Sequence, residues 1–246
     1  VHPPYTTAAG PPRGALCSDL SSPFVHLRLL PGVSPRPQRR RPSSCSVYLM
    51  RKSFRDTSHW TAVVKGMADR GLPAPLLVIL DGNAGLVRAV RETWPKAVIQ
   101  RCTKHKLENL LAKAPAGHCH PEIRRDYAQI THPASPEEAH QAYEAFLRKW
   151  RPLCPSVAES LEEAGQMLLT FTRFPRSQWK SLRTTNAIER LNEEFRRRTK
   201  TQGSFRHEAS ALTLLWGLVA FGQIVLRKID GWEEVAKVMS DSQAAA

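Results

Sequence analysis

Asp81 and Glu189 are the two side chains best placed to hold a hard cation. Asp81 closes the apolar run Leu76-Leu77-Val78-Ile79-Leu80 and is followed by Gly82 and Asn83. Such a run has the pattern of a strand buried on both faces. In open α/β sheets the carboxyl end of a parallel strand is where ligands and metals bind, and a glycine beside the carboxylate lets a cation approach without steric hindrance. Asp-Gly is also ordinary turn chemistry, so local context leaves both readings open. Glu189 lies in Arg183–Lys200. As a helix, this segment buries Ile188, Leu191 and Phe195 and gathers Glu189, Asn192, Glu193 and Arg196 on a polar face. Glu189 stands three residues after Asn186, so it could equally be the reciprocal partner of an N-cap. The block Arg196-Arg197-Arg198-Thr199-Lys200 suits phosphate contact, although a solvated face has the same composition. Cys102-x-x-His105 has the spacing of half a zinc site, with His118, Cys119 and His120 as possible partners. Structural zinc needs four ligands, so the preferred reading packs Cys102 at a strand end and lets His105 orient the site or reach DNA.

These residues need a scaffold, and the hydrophobic pattern supplies one. Trp60, Val63, Val64 and Met67 are spaced for one helix face, ending near Gly71 as a C-cap. The buried strand through Leu80 follows, then a turn at Asp81-Gly82-Asn83, a helix beginning at Leu86, Val87 and Val90, and a second strand at Ala97-Val98-Ile99. That order predicts an α/β layer with a parallel sheet. Beyond Arg101 the strand signal stops. Helices are expected over about 103–113, 121–131, 136–149 and 155–168, punctuated by Pro115, Pro121, Pro133 and Pro152. Two more follow, from Asn186 to about Lys200 and from about Glu208 to Arg227. The chain divides into a basic Pro/Ser/Arg-rich segment (1–55), an α/β core portion (56–101), a helical insertion (102–182) and C-terminal helices (183–246).

Composition fits a folded domain, with 41% hydrophobic and 24% charged residues. The net charge of +14 favours a polyanionic partner, nucleic acid before acidic membrane. Much of that excess sits in residues 1–55, where nine Lys/Arg face the single acid Asp19. Residues 1–45 also hold nine of the 19 prolines and keep neither a strand nor a helix period, so a poorly ordered tail is expected there. No run reaches the ~18 apolar residues of a membrane span, and the first residues show no secretory signal. Five scattered cysteines argue against a disulfide framework and for a reducing cytosol.

Three segments resemble the Mutator-type transposases of bacterial insertion sequences. They are Leu76 to Leu86 (LLVILDGNAGL), Gln100 to Lys106 (QRCTKHK) and Arg183 to Gln202 (RTTNAIERLNEEFRRRTKTQ). The resemblance implies a partial ribonuclease-H-like fold, with a helical insertion and C-terminal helices. It implies three carboxylates, Asp-Asp-Glu, holding two Mg²⁺ (or Mn²⁺) ions that drive strand cleavage and strand transfer. Asp81 then matches the second aspartate and Glu189 the glutamate, with Glu193 the runner-up. Arg190, Arg196, Arg197, Arg198 and Lys200 would contact DNA, and Cys102 and His105 match a short family signature. The implied partners are transposon ends, target DNA and further copies of the chain, in a bacterial cytoplasm at the nucleoid. The departure from the family is the first aspartate. Asp19 stands at a plausible distance, but Ala15-Leu16-Cys17-Ser18 and Leu20-Ser21-Ser22-Pro23 do not read as a buried strand, and Asp56 is the next acid to consider. The expectation is therefore an impaired transposase, with a non-catalytic DNA-binding or regulatory remnant as the alternative.

Overall fold

Four consecutive residues without a polar group, Leu77–Leu80, form the strand around which the chain is organised, and each is fully buried. In the computed structural model, the described residues are 25–29, 46–49, 57–115, 117–201, 207–225, 230, 231 and 234, the first two stretches as backbone. The sheet contains β1 (Val25–Leu29), β2 (Ser46–Leu49), β3 (Leu77–Leu80) and β4 (Val98–Arg101), in the order β2-β1-β3-β4. β3 and β4 run parallel, with Leu77 opposite Val98 and Leu80 opposite Arg101. β1 is antiparallel to both β2 and β3. The result is a small mixed sheet in a mostly helical chain.

Alternation along β3 explains its burial on both sides. Val78 and Leu80 pack with Trp60, Val64 and Met67 of α1 (Thr57–Asp69) and with Leu86 and Val90 of α2 (Ala84–Thr93). Leu77 and Ile79 face the opposite layer, formed by Phe171, Phe174, Trp179 and Leu182. Burying each of these side chains is worth about 1.5–3 kcal/mol, which anchors β3 on both faces. As expected from sequence, α1 gives way to Gly71, whose φ of +90° suits a residue without Cβ.

The insertion has its own core. The helices α3 (Thr103–Lys113), α4 (His120–Thr131), α5 (Pro136–Leu153) and α6 (Pro155–Ala164) enclose Leu110, Ile123, Tyr127, Phe146, Trp150 and Leu161. Phe146 joins the aromatic stack, 6.5 Å from Tyr127 and 5.9 Å from Trp150 between ring centroids. The N-terminus of α5 is closed reciprocally: Glu138 N donates to Ser135 Oγ at 3.2 Å, and Ala134 N donates to the Glu138 carboxylate at 2.7 Å. α7 (Trp179–Leu182), α8 (Asn186–Thr199) and α9 (Glu208–Ala220) complete the described helices.

Several boundaries differ from the sequence reading. α6 ends at Ala164, and short 3-10 turns carry the chain to Arg173, where a continuous helix to 168 was expected. α5 runs on to Leu153, with Pro152 inside its last turn. One strand, β1, lies inside residues 1–45, read as keeping no strand period, and β2 follows directly after them. β1 (VHLRL) alternates with period two, but five residues between Pro23 and Pro31 are too short to stand out, and pairing with β3 supplies what local sequence lacks. Asp19 and Asp56 lie outside the described residues.

Candidate functional site at the carboxyl ends of the parallel strands

The parallel ladder does not stop at Arg101. Cys102 N donates to Leu80 O at 2.7 Å, so Cys102 lies beside the residue that precedes Asp81. Thr103 then donates twice to Arg183 O, from its amide at 2.9 Å and from its hydroxyl at 3.1 Å. That pair of bonds fixes the chain entering α8 against the end of β4. Two segments remote in sequence are thereby brought to one edge of the sheet.

Asp81 is half-buried and folded onto its own turn, its carboxylate accepting from Asn83 N at 3.1 Å. Asn83 in turn caps α2 by accepting from Leu86 N at 3.0 Å. Gly82 sits between them with φ +108°, where an added Cβ would lie 2.0 Å from the Arg101 guanidinium carbon. Burial pushes the Asp81 carboxyl above its ordinary value, and the Asn83 amide and the charges of His105 and Arg101 only partly offset this.

Glu189 occupies the first turn of α8, 20% exposed. It pairs with Lys104, lies 3.9 Å from His105 Nε2, and accepts from the Thr185 hydroxyl at 3.4 Å. The cap of α8 is Thr185 rather than Asn186, and its amide oxygen receives Ile188 N and Glu189 N. Asn192, expected on the polar face, is 4% exposed, and among the described residues its Oδ1 has no hydrogen-bond partner. Glu193 is exposed.

His105 lies within the electrostatic reach of both acids. Burial favours its neutral ring, but Cys102, Asp81 and Glu189 together outweigh that and raise its pKa. The Cys102 thiol, fully buried, is pushed up by burial yet held below its ordinary value by its hydrogen bond to His105 and the charge there. Its sulfur also lies 3.4 Å from Thr185 Oγ1. Cys102 and His105 are thus engaged with each other and with the carboxylate edge. Among the described residues no group of three or more His, Cys, Asp or Glu side chains is arranged to hold a metal.

The rest of the QRCTKHK segment carries roles that sequence reasoning missed. Gln100 is fully buried, donating to Leu168 O at 2.9 Å and accepting from Phe171 N at 2.7 Å. Arg101 forms a two-pronged pair with Glu163 of α6, 3.0 Å on each prong, and donates to Gly82 O at 3.1 Å. Lys106 reaches the same carboxylate at 2.7 Å and Ser160 O at 2.7 Å. The signal available was Lys106 itself, a charge one turn before Leu110 on the face that α3 buries.

On α8, Arg190, Arg196, Arg197 and Lys200 are exposed. Arg197 pairs with Glu194 at 2.7 Å, and Arg198 is partly turned inward, contacting Glu194 and donating to Gln223 O. No helix among the described residues is long and apolar enough to cross a membrane.

The edge of the parallel strands thus carries Asp81 beside Leu80 and, on α8, Glu189 3.9 Å from His105. Residues 48–223 match the Mutator family of transposases, and the chain belongs to that family. It is 35% identical over 182 residues to the transposase of insertion sequence element IS1081 from Mycobacterium tuberculosis, covering 74% of this chain and 42% of that relative. The ISRM5 transposase of Rhizobium meliloti is 38% identical over 164 residues, covering 65% of this chain and 40% of its own length. The IS905 transposase of Lactococcus lactis is 32% identical over 189 residues, 77% of this chain and 46% of the relative. The chain therefore spans less than half the length of these relatives.

Proposed function

We propose that this chain carries the second-aspartate and glutamate part of a transposase site built on a ribonuclease-H-like sheet. The observation that carries this reading is the pairing that brings the two acids' segments to one sheet edge, Cys102 N to Leu80 O beside Asp81 and Thr103 to Arg183 O at the entry to α8, with Glu189 3.9 Å from His105 Nε2. The half-buried Asp81 carboxylate, raised by burial, is the kind of group a cation relieves. Mg²⁺ is commonly held by one or two carboxylates, with water and substrate phosphate completing its shell. Asp81 and Glu189 would be the protein ligands of one such ion. A second ion needs a further carboxylate, which the described residues do not supply at this edge.

When bound, divalent ions supply activation of a water or 3′-hydroxyl and charge stabilisation at the scissile phosphate. The chain's own residues position and neutralise. Asn83 and Gly82 hold the Asp81 turn, Thr185 and Lys104 hold Glu189, and His105 keeps the two acids compatible at one edge. Arg190, Arg196 and Lys200 present cations on the exposed side of α8, where several phosphates would be neutralised. With two of the three carboxylates among the described residues and no strand-like sequence around Asp19, the chain on this reading binds DNA and a single divalent ion but cuts poorly. A DNA-binding remnant without catalysis is the second reading, favoured by the sequence around Asp19, which does not read as a buried strand.

Mn²⁺ titration followed by electron paramagnetic resonance tests this directly, with nicking of supercoiled plasmid as the companion assay. Saturable Mn²⁺ uptake, lost in both Asp81→Asn and Glu189→Gln, with little nicking, is expected. Uptake unaffected by either substitution overturns the site. Robust nicking lost in Asp19→Ala restores an intact three-carboxylate enzyme.

A further inference from the structure

The helix α9 is apolar in sequence but leaves its large side chains in water. Leu212, Trp216 and Val219 are 59%, 67% and 37% exposed and fall at i, i+4 and i+7, a single helical stripe. Phe221 and Val225, 77% and 82% exposed, extend the stripe past the helix end, and Phe221 stacks edge-on to Trp216 at 6.3 Å. No charged residue occurs from Ala209 to Val225. Along its length α9 has no extended packing against another described element. It is moored at its end, where Ile224 is buried and Arg198 of α8 donates to Gln223 O.

We infer that this stripe is an interface between two copies of the chain. The absence of cations gives α9 nothing to offer a phosphate backbone, so the DNA read from α8 is not its occupant. An uncharged stripe is self-complementary, and two chains of +14 net charge meet on it without like-charge contact. The area is sufficient. With aromatic side chains contributing on the order of 150–250 Å² each, the five exposed residues offer roughly 600 Å² per copy. Doubled, that is roughly 1,200 Å², the lower bound for a specific, stable interface. Trp216 is the anchor, flat and central, with Leu212 and Val219 closing around it. Since Arg198 ties the end of α9 to α8, the pairing also sets two basic helices in a fixed relation.

Sedimentation equilibrium of the full chain at several concentrations is the test. A reversible dimer is expected. Trp216→Ala weakens it about thirtyfold or more, the loss typical of a central tryptophan, and Leu212→Glu with Val219→Glu leaves a monomer. Because these side chains are exposed, circular dichroism and urea unfolding of the variants at fixed monomer concentration should match the unmodified chain once dimer linkage is subtracted. A chain that stays monomeric, or a dimer that survives all three substitutions, overturns the interface. So does strong hydrogen-exchange protection of Leu212–Val219 in a monomer, which would mean that the chain covers its own stripe.

Discussion

Replacing Glu163 with alanine removes the one carboxylate that two buried cations share. The Arg101 and Lys106 side chains are only 3% and 2% exposed. Both meet Glu163, Arg101 through two bonds of 3.0 Å and Lys106 through one of 2.7 Å. Breaking a buried pair by removing one partner costs about 3–5 kcal/mol, because a charge is left uncompensated. Glu163 itself is 55% exposed, so water can enter its place, and the expected loss lies near the lower figure, about 3 kcal/mol. At roughly 2–4 °C per kcal/mol for a chain of this size, the melting temperature falls by roughly 6–12 °C. The pH dependence is specific. Burial already holds the Lys106 ammonium below its ordinary value despite Glu163. Without that carboxylate it falls further, so the folded variant sheds the proton more readily than its unfolded chain does. Stability of the variant is then regained as pH rises above its folded Lys106 value, and its gap from the unmodified chain narrows from there toward the less depressed value of the unmodified chain. On the acid side, burial opposes ionisation of Glu163, but Lys106 and Arg101 prevail and hold it below 4.5. The stabilisation it provides is present above that value and is lost as pH falls through the depressed one, so the gap closes there too. Urea unfolding across pH measures both limbs, and Lys106→Met in the Glu163→Ala background should recover part of the loss. A cost under about 1 kcal/mol, or a gap that does not change with pH, would refute the reasoning.

Two further outcomes follow from the site. Gly82→Ala should cost about 2 kcal/mol or more, since its φ of +108° is strained for any L side chain and its Cβ would displace the Arg101 guanidinium. Urea midpoints measure the loss, and Mn²⁺ uptake should weaken with it because Asp81 sits on the same turn. Neutralising Arg190, Arg196 and Lys200 together should flatten the salt dependence of DNA binding by up to about 2.7 in the log–log slope, about 0.9 for each phosphate that no longer meets a cation. Fluorescence anisotropy on a short duplex reads that slope, and an unchanged value would remove α8 from the DNA-binding surface.

Much of the framework was legible because periodicity persists where both faces are buried. The run Leu76 to Leu80 announced β3 unaided, and the spacing of Trp60, Val64 and Met67 announced α1. The α8 stripe was also readable, through Ile188 and Leu191, but Asn192 was not, because a buried amide looks like any other polar residue in sequence. The 3-10 turns from Gly165 to Gln178 were invisible. Their residues are placed by Gln100 and by the apolar layer beneath β3, not by any local period. Asp81 and Glu189 could be singled out separately. What joins them, the bonds from Cys102 to Leu80 and from Thr103 to Arg183, is backbone pairing at long range and leaves no trace in residue types.

The seven residues from Gln100 to Lys106 show why position and chemistry are coupled in this chain. Gln100, Arg101 and Lys106 grip the far layer: two 3-10 turns in the first case and α6 in the others. Cys102, Lys104 and His105 face the opposite way, toward Asp81, Thr185 and Glu189. Strand β4 ends after Arg101 and α3 begins at Thr103, so the change of direction between the two groups is made by a change of secondary structure within a single turn. A shift of α6 would therefore reach the carboxylates through Arg101 without passing through any flexible loop, because Arg101 also holds the carbonyl of Gly82, the residue next to Asp81. The helical insertion is on this account a part of the site's geometry, even though none of its helices beyond α3 contributes a side chain to the Asp81–His105–Glu189 edge.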